Sequence, residues 1–260
     1  MHRLLPNDMQ YPLRTRFASD IVTEFLQPKK PSNKVIILAS GMPGMPNAKK
    51  VMYTIAKKGY WVFLPRYRGT WESGGTFLDH SPHEDILDVV GGVSKSFQDA
   101  WTNEEYTIEN PDIYVIGSSF GGPAAILCSM DSRVTKAVAI SPVVDWREEE
   151  KSPTEPMSML GRMVKDSFGE AYRFSLDDWD KLARGTFYNP VDHAKDIGSD
   201  KIMLLHALDD DVVLYEPTVH FVKDVGCRFF LLKKGGHLGS SSLNTWKVGG
   251  KIWKFLETTV

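Results

Sequence analysis

The sequence has few of the features that mark disulfide-rich, secreted or membrane proteins. It contains two cysteines in 260 residues, Cys128 and Cys227, and both lie in apolar segments. They are therefore predicted to be reduced core residues. The N-terminus lacks an apolar leader segment with a small-residue cleavage site, and no apolar run approaches the length of a membrane span. These absences predict a cytoplasmic protein without a membrane partner.

The sequence also lacks the patterns of nucleic-acid-binding proteins and of metal or nucleotide sites. Its 31 basic and 33 acidic residues give a net charge of −2, and the basic residues form no stripe. The histidines, cysteines and carboxylates do not show the spacing of metal ligands. The glycine-rich segments at Gly41 and Gly74 match neither the dinucleotide fingerprint nor the phosphate-binding loop. We therefore expect no cofactor, no metal and no nucleic-acid partner, and a homodimer is compatible with this composition.

The sequence does contain a series of short, apolar, β-branched segments separated by helical patterns. Strands are predicted at residues 20–26, as one strand of an N-terminal hairpin, and at 34–39, 60–65, 113–116, 134–140, 201–206 and 227–232. Helices are predicted at about 47–58, from 81 through Phe97, at 123–128, at 216–225 and from about 245. Because a strand–helix–strand unit makes a right-handed crossover, this order predicts a mostly parallel, doubly wound sheet. The length fits a single α/β domain over residues 1–260.

Residues 141–200 interrupt this alternation. They show no strand pattern, and two amphipathic stretches are rich in methionine and aromatic residues. Since helices inserted between two sheet strands usually form a cap, a small helical cap is predicted at about 145–195, after the sixth strand. Trp146 and Tyr188 are candidate substrate-binding residues within it, and packing of the cap onto the sheet is the alternative. The glutamates at 148–150 are interpreted as a solvated face.

A candidate nucleophile follows the predicted strand 113–116. Residues 117–121 read Gly-Ser-Ser-Phe-Gly, and a small-residue helical pattern comes next. A G-x-S-x-G pentad occurs by chance in roughly one chain in ten of this length. The strand–pentad–helix order, however, is that of a nucleophile elbow, in which a strained turn exposes the serine hydroxyl. Ser119 is therefore the candidate, with Gly117 and Gly121 lacking the Cβ atoms that would collide between strand and helix.

Two polar loops follow the last two predicted strands. Residues 206–213 read His-Ala-Leu-Asp-Asp-Asp-Val-Val, and residues 233–239 read Lys-Lys-Gly-Gly-His-Leu-Gly. The carboxyl ends of parallel strands meet at one sheet edge, so both loops are expected beside the pentad. The chain order of serine, aspartate and histidine is that of the elbow fold. His237 is the candidate base, while Asp209, Asp210 and Asp211 are adjacent candidates for the acid.

From about residue 34 to 256 the chain resembles an α/β-hydrolase, and in particular the catalytic domains of prolyl oligopeptidase-type (S9) peptidases and related esterases. The acid loop of that family usually reads His-Gly-x-x-Asp-x-x-Val, and here Ala207 stands at the glycine. The resemblance implies an α/β-hydrolase fold with a triad of Ser119, Asp210 and His237. The segments that carry it are Arg68-Gly69, Ser73-Gly74-Gly75, the elbow, Ser141-Pro-Val-Val-Asp-Trp146, the acid loop and Gly236-His237.

An oxyanion hole would need two backbone N–H donors. The first is expected from Phe120, the residue after the nucleophile. The second is expected from the loop after strand 34–39, where Pro43 has no N–H and Met42 is the candidate. In that loop Ser40-Gly41 replaces the His-Gly of relatives, and Arg66 stands where relatives often have aspartate.

These features predict a serine hydrolase, most simply a carboxylesterase acting on a small-molecule ester with a small to medium or aromatic group. His80, in a glycine-containing loop region, is a third candidate for substrate contact. Peptidase or thioesterase activity is the nearest alternative, and the absence of room for the propeller of S9 enzymes favours the esterase. A carbon–carbon bond hydrolase and a non-catalytic binding protein of the same fold are the further alternatives.

Overall fold

The computed structural model describes residues 11–151 and 156–258. The predicted strands are all present within one or two residues of their predicted bounds. The strands are β1 Leu13–Phe17, β2 Ile21–Leu26, β3 Lys34–Ala39, β4 Trp61–Pro65, β5 Phe97–Gln98, β6 Glu105–Tyr106, β7 Asp112–Ser118, β8 Val134–Ile140, β9 Ile202–Ala207 and β10 Arg228–Leu232.

An eight-stranded sheet organises the fold, with the order β1-β2-β4-β3-β7-β8-β9-β10. The β1–β2 hairpin and the β2–β4 pair are antiparallel, and the other neighbours are parallel. β5 and β6 form a separate small hairpin. The mostly parallel α/β-hydrolase sheet predicted from the sequence is therefore confirmed, and β8 is the sixth strand of this sheet along the chain.

Helices cover both faces of the sheet. They are α1 Lys49–Lys57, α2 Pro82–Val93, α3 Gly121–Cys128, α4 Trp146–Glu149, α5 Met157–Phe168, α6 Leu176–Ala183, α7 Tyr215–Val225 and α8 Trp246–Glu257. Successive residues of β3 are buried on opposite faces of the sheet, as is typical of a central parallel strand covered by helices on both faces. Val35 and Ile37 pack with residues of α2 and α3, whereas Ile36 and Leu38 pack with residues of α1 and α8.

The second helix is shorter than predicted. It ends at Val93, and Phe97 lies in β5, where it packs among Phe17, Phe25 and Phe63. Ser81 precedes the helix without a side-chain capping hydrogen bond, and its Oγ lies 2.7 Å from His83 Nδ1. The helical spacing of apolar residues thus continued beyond the helix itself.

The insertion between β8 and β9 contains α4, α5 and α6, as expected for a helical cap. Trp179 of α6 is buried and donates its indole N–H to the carbonyl oxygen of Met157. The indole also lies where a side chain at Gly161 would stand, so α5 and α6 pack closely. The single domain 1–260 stays a prediction, because residues 1–10, 152–155 and 259–260 lie outside the described residues. In the part of the chain that is described, helices fall short of the length and apolarity needed to cross a membrane.

Candidate active site

Ser119 stands on a strained turn between β7 and α3. Its φ is +53°, a left-handed conformation that is unusual for a residue with a side chain. The strain is held by backbone hydrogen bonds, since Ser119 N–H donates to the Ile140 carbonyl oxygen at 2.9 Å and Gly122 N–H donates to the Ser119 carbonyl oxygen at 2.8 Å. This is the strand–turn–helix geometry of a nucleophile elbow.

The two glycines of the pentad are required by the closeness of strand and helix. A Cβ at Gly117 would overlap the carbonyl oxygen of Gly121. A Cβ at Gly121 would overlap the carbonyl oxygen of Ala39, at the end of β3. The turn can therefore form only with glycine at both ends of the pentad.

The acid loop and the histidine loop meet at the same sheet edge. Both carboxylate oxygens of Asp210 lie 3.0 Å from His237 Nδ1, and Asp210 is 4% exposed. Asp211 is exposed, whereas Asp209 accepts the N–H groups of Gly235 and Gly236 at 2.8 and 2.9 Å. The structure thus brings Asp210, among the three adjacent aspartates, to the histidine. Asp209 instead fixes the loop that carries His237.

Hydrogen bonds keep the Asp210 carboxyl ionised despite its burial. Burial alone would raise its pKa, but hydrogen bonds from His206, His237 and the Val213 N–H outweigh that effect. They hold the pKa of Asp210 well below its ordinary value. An ionised carboxylate at this place makes Nδ1 of His237 the protonated ring nitrogen, and Nε2 is then the nitrogen able to accept a proton.

Short contacts connect the histidine loop to the elbow. Leu238 N–H donates to Ser141 Oγ at 3.2 Å, and Ser141 follows Ile140, the acceptor of the Ser119 N–H. Within residues 11–151 and 156–258, no hydrogen bond joins Ser119 Oγ to the His237 ring. Hydrogen bonds between catalytic groups are often long before substrate binds, so the absence of this bond is compatible with a nucleophile–base pair.

The loop after β3 lies directly against the elbow. A Cβ at Gly41 would stand 3.2 Å from Ser119 Cβ and 3.1 Å from the Ser118 carbonyl oxygen. Among the described residues, the N–H groups of Phe120 and Met42 donate to no protein acceptor. Neither N–H is thus occupied by a protein acceptor, and their role as oxyanion donors stays a prediction.

Two aromatic hydroxyls hold this loop in place. Tyr67 donates to the Ser40 carbonyl oxygen at 3.1 Å. Tyr172, from the insertion, donates to the carbonyl oxygen of Gly44 and accepts its N–H, both at 3.2 Å. Trp71 donates its indole N–H to the same carbonyl at 3.2 Å. No feature of the sequence pattern indicated these contacts, because they join segments far apart in the chain.

Trp146 and Tyr188 lie beneath the elbow. Both are buried, and their rings pack on Phe120 with centroid distances of 5.6 and 5.2 Å. Trp146 donates its indole N–H to the Tyr188 carbonyl oxygen at 2.7 Å. Their observed contacts are internal, and substrate binding by either residue stays a prediction.

His80 lies in an ionic cluster around Arg68. Its Nε2 is 2.8 Å from Asp85 Oδ1, and this hydrogen bond raises the pKa of His80. Arg68 binds the same carboxylate as well as Asp20 and Asp88, and so ties the loop after β4 to α2 and to the β1–β2 turn. Substrate contact by His80 also stays a prediction.

Arg66, which replaces the aspartate usual in relatives, has a clear structural role. Its side chain is 3% exposed and forms ion pairs with Glu24 at 2.9 Å and Glu72 at 2.7 Å. Two carboxylates thus compensate the buried cation.

Glu149 differs from the solvated residue that the sequence suggested. It is partly buried, whereas Glu148 is exposed. Burial, followed by the nearby charge of Asp210, raises the pKa of Glu149 to about 7. It lines a cavity of about 790 Å³ together with Asp211, Val212 and others. Its position three residues after the buried Trp146, on the same side of α4, is the signal that would have indicated partial burial.

Comparisons with known proteins agree with this fold. The model of the prolyl oligopeptidase family matches residues 46–260. Among solved structures, the chain is similar to the Pyrococcus furiosus esterase Pf2001, with a TM-score of 0.69 and 17% identity over 99% of this chain and 95% of that one. It is similar to Est1E from Butyrivibrio proteoclasticus, with a TM-score of 0.61 and 16% identity over 95% and 99%. It is also similar to Pyrococcus horikoshii acylaminoacyl peptidase, with a TM-score of 0.64 and 17% identity over 94% of this chain and 41% of that chain.

Proposed function

Because this chain belongs to the prolyl oligopeptidase family of serine hydrolases, we propose that it is a carboxylesterase that acts on small esters through an acyl-enzyme on Ser119. The observation that carries the proposal is the contact of both Asp210 oxygens with His237 Nδ1, at the sheet edge where Ser119 stands on its strained turn. This contact leaves Nε2 as the basic atom of the ring.

In the first half-reaction, His237 Nε2 removes the proton from Ser119 Oγ as the oxygen attacks the ester carbonyl. Asp210 holds the ring in the tautomer that can accept this proton, and it stabilises the imidazolium that forms. The tetrahedral intermediate collapses to the acyl-enzyme, and the imidazolium protonates the departing alcohol. In the second half-reaction, water replaces the serine hydroxyl as nucleophile and the same ring moves its proton.

The negative oxygen of each tetrahedral intermediate would bind the N–H groups of Phe120 and Met42. A donor of this kind contributes about 3–4 kcal/mol to transition-state stabilisation. The Tyr67 and Tyr172 hydroxyls fix the loop that carries Met42, so that this donor is positioned before substrate binds. Preorganisation is what makes such donors effective.

The cavity next to this loop is our candidate site for the acyl group. It is small, about 30 Å³, and is lined by Met42, Trp71 and Tyr172, among others. An acyl group that entered this cavity would have to be short, which is the reason to expect small esters. The similarity to two esterases over nearly their whole lengths also supports an ester substrate. A peptidase is the second candidate, which the similarity to acylaminoacyl peptidase favours.

The test compares p-nitrophenyl acetate, butyrate and octanoate with an aminoacyl-p-nitroanilide and an acyl thioester. We expect acetate to have the highest kcat/KM and the activity to disappear in Ser119→Ala. Labelling by a fluorophosphonate probe, lost in the same variant, identifies the nucleophile. A higher kcat/KM on the anilide would indicate a peptidase, and a higher kcat/KM on the thioester would indicate a thioesterase, in place of an esterase. Absence of both labelling and turnover would indicate a non-catalytic protein.

A further inference from the structure

Asp210 contacts a second imidazole besides that of His237. His206, at the end of β9, has a fully buried side chain, and its Nε2 lies 3.3 Å from Asp210 Oδ2. The same nitrogen lies 2.9 Å from the carbonyl oxygen of Val213. On the other side of the ring, Nδ1 lies 3.1 Å from the hydroxyl of Thr218, which is also fully buried.

These partners determine which nitrogen of His206 is a donor. A carbonyl oxygen and an ionised carboxylate can only accept hydrogen bonds, so Nε2 must carry hydrogen and share it between Val213 and Asp210. In the neutral ring Nδ1 is then an acceptor, and the Thr218 hydroxyl donates to it. Each polar atom of this buried ring has a partner, which burial requires.

The two oxygens of the Asp210 carboxylate are held in different ways. Oδ1 accepts the backbone N–H groups of Val212 and Val213, both at 3.1 Å. Oδ2 faces the two imidazoles. Without the contact to His206, the carboxylate would keep its bonds to the backbone N–H groups, to the Ser141 side chain and to His237, but Oδ2 would lose its second imidazole.

We propose that His206, itself fixed by Thr218, is a positioning residue that holds the Asp210 carboxylate so that both oxygens face His237 Nδ1. The inference rests on the proposed function, because it concerns the acid of the same triad. By binding Val213 as well, the His206 ring joins the two ends of the acid loop and keeps Asp210 at its observed depth. His206 touches neither substrate nor the reacting atoms in this scheme.

Three variants test the proposal: His206→Gln, Thr218→Val and Thr218→Ser. Thr218→Val keeps the shape of the buried side chain but removes the donor to Nδ1, whereas Thr218→Ser keeps the hydroxyl. Removing a side chain that orients a metal ligand typically costs about 10–100-fold in affinity or activity, and we take this as the scale for a group that orients the triad acid. We expect a loss of about this size in kcat for His206→Gln, a smaller loss for Thr218→Val, near wild-type kcat for Thr218→Ser, and little change in KM.

The spectroscopic readout is the downfield proton NMR signal of the His237 Nδ1–H bonded to Asp210. It should shift or broaden in His206→Gln and Thr218→Val and should return in Thr218→Ser, whereas a merely structural role would leave it in place. If His206→Gln does not fold, the Thr218 pair decides. Equal kcat and an unchanged signal in both Thr218 variants would overturn the proposal. If that occurs while Ser119→Ala still abolishes turnover, the positioning role fails and the proposed function stands.

Discussion

The hydroxyl of Tyr188 lies between two backbone groups of the first turn of α3. It donates to the Phe120 carbonyl oxygen at 2.6 Å and accepts the Ala124 N–H at 3.0 Å. These two groups are four residues apart, the spacing at which an α-helix pairs its backbone groups, and Phe120 has helical backbone angles. A hydroxyl from the insertion therefore binds both backbone groups of the first turn of the elbow helix, immediately after Ser119.

Tyr188→Phe should change activity more than stability. Without the hydroxyl, the two backbone groups of α3 can still pair with each other, so we expect a cost of about 1 kcal/mol in the free energy of unfolding. The Phe120 N–H should shift with the turn, and kcat should fall. Urea denaturation and ester hydrolysis measure the two effects, with Tyr11→Phe at an exposed site as the control. Wild-type kcat in Tyr188→Phe would contradict this role.

Asp210→Asn and Asp211→Asn form a matched pair. Asparagine at 210 cannot stabilise the imidazolium and favours the wrong ring tautomer, so kcat should fall by about 10⁴-fold. Asp211 is exposed and adjacent, and its substitution should leave kcat within a factor of two or so of wild type. The kcat of both variants on the same ester is the measurement, and comparable losses would show that Asp210 is not specifically the acid.

Gly121→Ala should prevent correct folding of the elbow. The added Cβ would overlap the carbonyl oxygen of Ala39, and backbone atoms on both sides leave no flexible neighbour to move. Gly250→Ala is the control, because Gly250 lies in α8 with no atom near the added methyl. Alanine there should stabilise the protein by up to about 1 kcal/mol. Thermal unfolding of the two variants should therefore shift in opposite directions, and a stable Gly121→Ala protein would disprove the close approach.

Glu149 should make the folded state less stable as pH rises. Its pKa is raised from an ordinary value of 4.5 to about 7, so the folded protein holds this proton more tightly than the unfolded chain. The resulting stability is complete below pH 4.5 and is lost as pH rises through about 7, which amounts to about 3 kcal/mol.

Urea denaturation at pH 5 and pH 8 measures this contribution. From pH 5 to pH 8, the free energy of unfolding should fall further in wild type than in Glu149→Gln, and most of the contribution given above should appear as this difference. Glu148→Gln, at the exposed neighbouring position, should behave as wild type. An identical pH dependence in Glu149→Gln and wild type would show that the proton of Glu149 is not held in this way.

The regular elements could be predicted because each is recorded in a local pattern. The apolar run at 113–116 gave β7, and the pentad after it gave the elbow with both required glycines. The β5–β6 hairpin was missed because two-residue strands contain no period to detect. The extension of α2 to Phe97 was wrong because the apolar spacing of a helix can continue into the strand that follows it.

The triad positions could be proposed from sequence, but their supports could not. Asp210 came from the resemblance to a family motif, and its contact with His237 depends on two loops that close together only in the fold. The Thr218–His206 pair and the Tyr188 hydroxyl contacts join residues far apart in the chain. Neither leaves a periodic pattern in the residues around it, whereas the partial burial of Glu149 could have been inferred from its helical spacing to Trp146.

The two hydrogen bonds between Tyr172 and Gly44 have a consequence for how substrate selectivity could change in proteins with this fold. One phenol connects the insertion with the loop after β3, which carries the proposed oxyanion donor Met42. Replacing the insertion with one from another protein would remove these hydrogen bonds and should lower kcat even for esters that fit the new site. Substrate selectivity and turnover rate are therefore expected to change together, unless the residues around Gly44 are replaced as well.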